Sequence, residues 1–264
     1  MGIHFYKYEA AGNDFILIED FSERVQLTVD VIKKWCQSHY GIGADGLILL
    51  RPSEVADCRM LFFNSDGSQA EMCGNGLRSV IHFLASIDHK KQVYQVEVNQ
   101  KIYKGFENEE GVWIHLPSVT CLNGSLPFKL HDKDCYHYNT GVPHLVIPLK
   151  RIENLNLNKL APKWRWDPLF KGEGTNVNFL SVSSHNECSI RTFERGVEGE
   201  TLACGTGAAA ASLFMYQTYG VKDVSIKVRS GVYLKCQIFD VQDGKGSLNM
   251  MGPVRFVFEG KIKP

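Results

Sequence analysis

The 264-residue sequence has no apolar run long enough to span a bilayer. Its opening, MGIHFYKYEAAGNDFILIED, places a charged or polar residue every few positions, so no signal-peptide core is expected there. Met1-Gly2 lacks the Ser or Thr at position 6 that myristoylation wants, because Tyr6 stands there. Nor is there an excess of charge: 29 Lys+Arg balance 29 Asp+Glu with no block of like sign. A nucleic-acid partner and an anionic membrane surface are therefore not expected. Among 8 cysteines and 9 histidines there is no C-x-x-C and no H-E-x-x-H, which argues against a zinc site. Cysteines scattered through a long chain with no export signal point to thiols in a reducing cytoplasm.

What the sequence does have is enough apolar material, 44% of residues, to bury one large core or two small ones. Short β-rich runs dominate, at Phe15 to Ile18, Leu47 to Leu50, Arg59 to Phe63, Val93 to Val98, Val112 to Leu116, His144 to Ile147, Asn178 to Val182, Ser189 to Phe193 and Val224 to Val228. Val29 to His39 reads as an amphipathic helix. Two further helices, about Gly76 to Asp88 and Gly207 to Tyr219, each open on a cysteine-glycine turn and are apolar around most of their circumference. Such helices belong inside a wrapping of strands.

These two helices belong to a repeat. Arg59 to Phe63, a polar turn, then Glu71-Met-Cys-Gly-Asn-Gly76 and a helix is echoed by Ser189 to Phe193, a polar turn, then Thr201-Leu-Ala-Cys-Gly-Thr-Gly207 and a helix. Cys73 and Cys204 are 131 residues apart, and a strand follows each at a similar distance, at Val96 to Val98 and Ile226 to Val228. The chain reads as two copies of one α+β unit, with a boundary near Leu116 to Cys121 where a proline and small polar residues follow a strand.

A cysteine at a helix N-terminus sits at the positive end of the macrodipole, which favours thiolate, and the glycines after it let backbone N–H groups approach a carboxylate. Cys36, Cys58, Cys121, Cys135, Cys188 and Cys236 have no such context and read as small buried hydrophobes. If the two units face each other across a pseudo-twofold axis, one ligand carboxylate would sit between both helix N-termini with a thiol on either side of the adjoining carbon. That arrangement suits racemisation or epimerisation: one thiolate takes the α-proton from one face while the opposite thiol delivers a proton to the other. No metal and no cofactor is required, and no lysine has a recognisable PLP context. Gly41-Ile-Gly-Ala-Asp-Gly46 is a literal G-x-G-x-x-G, but it runs from helix to strand, the reverse of a dinucleotide site, and reads as a connecting loop.

Over nearly its full length the chain resembles the diaminopimelate epimerase family. The resemblance rests on Gly12-Asn13-Asp14-Phe15, Asn64-Ser-Asp-Gly-Ser68, Glu71-Met-Cys-Gly-Asn-Gly76, Gly174-Thr-Asn-Val-Asn178, Glu194-Arg-Gly196 and Glu200-Thr-Leu-Ala-Cys-Gly-Thr-Gly207. It implies cofactor-independent interconversion of LL- and meso-2,6-diaminopimelate, on the route to lysine and peptidoglycan. It implies an α+β fold of two pseudo-twofold domains, each a sheet wrapped around a central helix. The expected domains are residues 1–117, joined by a returning strand within 254–264, and residues 118–253. By the matching motifs, Cys73 and Cys204 are the catalytic acid/bases, and His144 and Glu194 assist proton placement. Gly74, Asn75, Gly205 and Thr206 hold the reacting carboxylate, while Asn13, Asn64, Asn176, Glu194 and Arg195 recognise the rest of the substrate. The sequence does not set the oligomeric state, and a homodimer is compatible with it.

Three features depart from the family pattern. Val142 stands where the family's G-N-P-H motif has asparagine. The loop Glu194-Arg-Gly-Val-Glu-Gly-Glu-Thr201 is one residue longer than the common form, and Gly46 lies where many members carry glutamine. Two alternatives follow. A proline-racemase-like enzyme shares the paired positions but normally reads C-G-H-G at the first cysteine. A redox-sensing or binding protein would join Cys73 and Cys204 in a disulfide.

Overall fold

The computed structural model describes residues 2–70, 72–88, 91–122, 126–242 and 244–263, apart from the side chains of residues 117 and 118. Glu71 of the first cysteine motif and Pro264 of the expected returning segment lie outside the described residues. The chain divides into two compact units, Met1–Ile114 with Gly252–Pro264, and His115–Met251.

In the first unit the elements run β1 (Ile3–Ala10), β2 (Asn13–Glu19), α1 (Val29–Cys36), β3 (Gly46–Arg51), β4 (Cys58–Asn64), β5 (Gln69–Ala70), α2 (Gly74–Ile87), β6 (Tyr94–Val98), β7 (Lys101–Asn108) and β8 (Gly111–Cys121). The strands join in the sequence β1, β2, β3, β4, β6, β7, β8. The successive pairings are antiparallel, parallel, antiparallel, parallel, antiparallel and antiparallel, with β5 folded back on β4.

The second unit holds β9 (Phe128–Leu130), β10 (Lys133–Asn139), β11 (Pro143–Pro148), α3 (Leu157–Leu160), α4 (Pro162–Arg165), a 3-10 turn (Pro168–Phe170), β12 (Asn176–Ser184), β13 (Glu187–Glu194), β14 (Gly199–Thr201), α5 (Gly205–Tyr219), β15 (Asp223–Lys227), β16 (Tyr233–Gln242) and β17 (Lys245–Gly252). Here β10, β11, β12, β13, β15, β16 and β17 repeat the same six pairings in the same order, with β14 folded back on β13. A last strand, β18 (Arg255–Ile262), returns to the first unit and pairs antiparallel with β1. β8 runs without a break from Gly111 to Cys121, through the stretch where the sequence suggested a boundary, and the two units part within it.

Each sheet wraps around its central helix. α2 packs on β1, β2, β4, β6 and β7, and α5 on β10 to β13, β15 and β16. Every residue of α5 from Gly207 to Met215 is buried, as a helix apolar all round requires. Burying Leu213 and Phe214 each contributes about 1.5–3 kcal/mol. The helix ends on Gly220 at φ +72°, a left-handed cap easy for glycine. The outer faces are covered separately. In the first unit, Ile32 and Trp35 of α1 pack on Ile16, Ile18, Leu47 and Leu49, and in the second, Leu157 and Trp164 pack on Leu145, Ile147, Val177 and Phe179. No helix among the described residues is long and apolar enough to cross a membrane.

Helix boundaries differ from the sequence reading in two ways. α2 and α5 start two residues earlier than expected, at Gly74 and Gly205, because the cysteines themselves are the N-caps. α1 ends at Cys36 and not His39. Its last carbonyls instead accept from Gly43 and Ala44, and Gly41 lies so close that a Cβ there would meet the Trp35 carbonyl oxygen at 2.5 Å.

Candidate active site

The repeat sets equivalent positions at the same end of each unit's strands. In the first unit, Phe15 pairs with Gly46 and Gly46 with Asn64, the last residue of β4. In the second, His144 pairs with Asn176, the first residue of β12, and Glu194 is the last residue of β13. The next helix in each unit is headed by a cysteine. Residues that the sequence reading drew from scattered motifs are thus gathered by strand register near two helix N-termini.

Cys73 and Cys204 cap these helices with extended backbones, at φ −133° and −128°. Cys73 Sγ accepts from Gly76 N–H at 3.3 Å, and Cys204 Sγ accepts from Gly207 N–H at 3.4 Å. A capping sulfur at the first turn is held where the helix field is strongest. Space is short at the third helical residue: a Cβ on Gly76 would press on the end of Met60 at 3.1 Å, and one on Gly207 would clash with Asn178 Oδ1 at 2.5 Å.

In the first unit, Asn75 is buried, and its side-chain Nδ2 donates to Asn13 Oδ1 at 2.5 Å. Asn75 Oδ1 also accepts from the fully buried Arg78. Asn13 in turn donates from Nδ2 to Asp45 Oδ2 at 3.0 Å, and Asp45 N–H donates to Asp14 Oδ1 at 2.9 Å. The glycine-rich segment 41–46 thus connects α1 to β3 and pins Asn13 and Asp14 at the start of β2. Asn64 donates from Nδ2 to Ser68 Oγ at 3.0 Å and closes its own turn. At Gly46 a Cβ would meet the Phe62 ring at 2.6 Å and the Phe63 carbonyl oxygen at 2.7 Å, so this backbone has no room for a side chain such as glutamine.

In the second unit, Thr201 donates from Oγ1 to Glu194 Oε1 at 2.6 Å, and Thr206 Oγ1 lies 3.4 Å from Cys204 Sγ. Burial raises the Glu194 carboxyl above its ordinary range, opposed by hydrogen bonds from Thr201 and Cys204. Burial also pushes the Cys204 thiol well above its ordinary value, and the charge of Glu194 pushes it further. At Cys204 the helix N-terminus still favours the thiolate, through Gly207 N–H, but burial outweighs it. A helix end is worth about 1 kcal/mol to a neighbouring anion, whereas burying an anion costs several. Burial thus favours the thiol form of Cys204, which is hydrogen-bonded to the Glu194 carboxyl.

His144 is fully buried, and burial holds it neutral with a pKa near 3. Its Nδ1 lies 3.0 Å from Asn178 Nδ2. Asn176 is occupied by the backbone: it donates to the Pro143 carbonyl at 3.0 Å and accepts from Arg195 N–H at 2.8 Å. It thereby fixes the loop that carries Arg195. The Arg195 guanidinium pairs with Glu173 at 2.8 Å. In this loop Glu198 stands at φ +52°, and its carboxylate accepts from buried Arg165 at 2.7 Å and from Gly196 N–H at 3.0 Å.

The residues that sequence reasoning missed are Asp45, Arg78, Asn178, Thr192, Thr201, Arg165 and Glu198. Asn178 and Thr192 stand among other polar residues of β12 (NVNFLSVSS) and β13 (ECSIRTFE), so nothing in those strands marked the two as a buried hydrogen-bonded pair. Arg165 and Glu198 lie 33 residues apart and gave no local signal.

Comparison with known proteins bears on this geometry. The model of the diaminopimelate epimerase family matches residues 5–105 and 136–257. The diaminopimelate epimerase of Aquifex aeolicus is 36% identical, covering 98% of this chain and 98% of that one. That of Chlorobaculum tepidum is 37% identical, covering 96% and 98%. Among solved structures, a phenazine biosynthesis protein of the PhzF family from Bacillus anthracis superposes with a TM-score of 0.70 at 17% identity over 100% of both chains. A probable proline racemase from Agrobacterium radiobacter gives 0.69 at 12% identity, covering 99% of this chain and 93% of that one. The last two show a shared fold.

Proposed function

The chain belongs to the diaminopimelate epimerase family and is an isomerase, and on that premise we propose that it interconverts LL- and meso-2,6-diaminopimelate by passing the α-proton between Cys73 and Cys204. The observation that supports this reading most is the equivalence of the two cysteines: each is the N-cap of the central helix in one copy of a repeated unit. Inverting one carbon needs an acid and a base of the same kind on opposite faces. A duplicated thiol supplies both.

In this scheme the reacting carboxylate takes hydrogen bonds from the first N–H groups of α2 and α5, around Gly74, Asn75, Gly205 and Thr206. A helix N-terminus stabilises the kind of negative charge that develops as the α-proton leaves. Cys204 begins as a thiol and donates its proton to the carbanion when Cys73 is the base. In the opposite direction it first passes its proton to Glu194, whose raised pKa suits it to hold one. Asn13, Asn64, Asn176 and Arg195 orient the remainder of the substrate, with the Arg195 guanidinium suited to a carboxylate. The scheme uses neither PLP nor a metal. A reducing cytoplasm suits it, because both sulfurs must stay out of disulfides, and all eight cysteines are free of them. The proline racemase likeness is one of fold alone, so diaminopimelate is the better substrate assignment.

Incubating the reduced protein with LL-diaminopimelate, without cofactor and with chelator present, should yield the meso isomer on chiral chromatography. No conversion, or conversion that stops with the chelator, would refute the reading.

Val142 carries a prediction about selectivity. It is the last residue of the turn between β10 and β11, two residues before His144, as Asn13 at the start of β2 is two residues before Phe15, and it is partly buried. A buried amide penalises ligands that leave it unpaired, whereas valine exacts no such penalty. Val142→Asn should raise the ratio of kcat/KM for LL-diaminopimelate over that for L-glutamate by about tenfold. An unchanged ratio would show that another group already supplies that selectivity.

A further inference from the structure

A buried polar cluster beneath the second cysteine goes beyond the roles assigned so far. Asn178 Nδ2 lies 3.0 Å from His144 Nδ1 and 3.1 Å from the Leu145 carbonyl oxygen, while Asn178 Oδ1 accepts from the Thr192 hydroxyl at 2.9 Å. All three side chains are buried. The Leu145 oxygen can only accept, so the amide is oriented with its two N–H bonds toward that oxygen and toward His144 Nδ1. An N–H needs a lone pair to meet, so Nδ1 carries no proton. The neutral ring therefore bears its single proton on Nε2, an atom that finds no hydrogen-bond partner among the described residues.

The cluster also touches the cysteine's helix. Gly207, in the first turn of α5, leaves so little space that a Cβ would stand 2.5 Å from Asn178 Oδ1 and 3.1 Å from Thr192 Oγ1. The side chain that orients the imidazole thus lies directly against the turn whose N–H bonds Cys204 Sγ. Around the ring, Tyr138 of β10 and Asn176 of β12 are its strand neighbours. His137 and Arg195, the titratable and charged groups acting on it, both disfavour a second proton.

We propose that Asn178, held by Thr192, is a positioning residue that fixes His144 as the neutral tautomer protonated on Nε2, so that His144 serves the reaction as a hydrogen-bond donor and not as a base. This rests on the reading of His144 as a site residue. The acceptor for Nε2–H is an atom that becomes more negative as the α-proton leaves, so the donor strengthens in the transition state. A ring locked against the opposite tautomer pays no reorganisation cost at that moment.

The test combines a spectrum with kinetics. In protein labelled with 15N-histidine, the His144 signal is identified by its loss in His144→Asn. It should show an unprotonated Nδ1 and a protonated Nε2, unchanged from pH 6 to 9. Asn178→Asp turns the Nδ1 contact into an acceptor, so the ring should gain a proton on Nδ1. With LL-diaminopimelate, kcat should fall at least tenfold while KM changes less than threefold. Thr192→Val, which only loosens the amide, should fall between wild type and Asn178→Asp in both readouts, and it serves if Asn178→Asp does not fold.

A wild-type ring protonated on Nδ1 would overturn the assignment. So would variants whose tautomer changes while kcat does not. The wild-type spectrum is independent of the substrate: if the chain failed to epimerise diaminopimelate, the proposed function would fall, and the spectrum would still decide the tautomer.

Discussion

Replacing either cysteine by serine should reduce turnover of LL-diaminopimelate by about a thousandfold or more, with the fold intact. Each sulfur is an N-cap, and serine is a better cap than cysteine, so Cys73→Ser and Cys204→Ser keep the bonds from Gly76 and Gly207 N–H. What changes is acidity. A serine hydroxyl neither yields an alkoxide near neutral pH nor matches a thiol as acid, and losing a positioned acid or base typically costs about 10²–10⁴-fold. Thermal midpoints within about 2 °C of wild type, beside lost turnover, would separate chemistry from unfolding. A serine variant retaining a tenth of the wild-type kcat would remove that cysteine from the mechanism.

Glu194→Gln should cost about a hundredfold in kcat and move the acid limb of the pH profile toward alkaline pH. The sign follows from the two groups involved. In the wild type the Cys204 proton passes to a carboxylate whose pKa, though raised by burial, lies below that of the thiol. Activity therefore rises with pH as that carboxylate forms. Without it, the buried thiol must itself lose its proton to solvent, at higher pH. Stability moves the other way. An acid whose pKa is raised in the folded state destabilises the fold once pH exceeds its unfolded value, so glutamine here should leave the thermal midpoint at pH 8 unchanged or higher. Activity within threefold of wild type and an unshifted profile would exclude Glu194 as the proton acceptor.

How much of this could be read from the residues alone depends on how local each signal is. The paired C-G-x-G segments and their matching flanks announced a duplicated unit because the repeat preserves spacing, and strand pairing shows the same six-step order in both halves. Strands with both faces buried, such as β2 and β3, were plain apolar runs. Some with one wet face were passed over: β7 reads KIYKGFEN, and β16, YLKCQIFDVQ, alternates exposed and buried residues along most of its length. The central helices began earlier than their apolar pattern because glycine and a capping sulfur, not periodicity, mark the start. Site residues with a motif were legible. Asp45, Asn178, Thr192 and Arg165 were not, since each acts on a partner distant in sequence. The upward push of burial on the Cys204 thiol was not legible because it depends on tertiary packing, which a helix-terminus argument does not contain.

The two-thiol exchange is tested most directly by running the reaction in heavy water from a single isomer and following deuterium at the α-carbon in both isomers at low conversion. With Cys73 and Cys204 each serving one face, a thiol that removes a proton keeps it through the turnover and the opposite thiol delivers deuterium from solvent. The product should therefore be labelled from the start while the remaining starting isomer stays protiated. Equal early labelling of both isomers would mean that one base exchanging with solvent serves both faces, and it would contradict the assignment of one thiol to each.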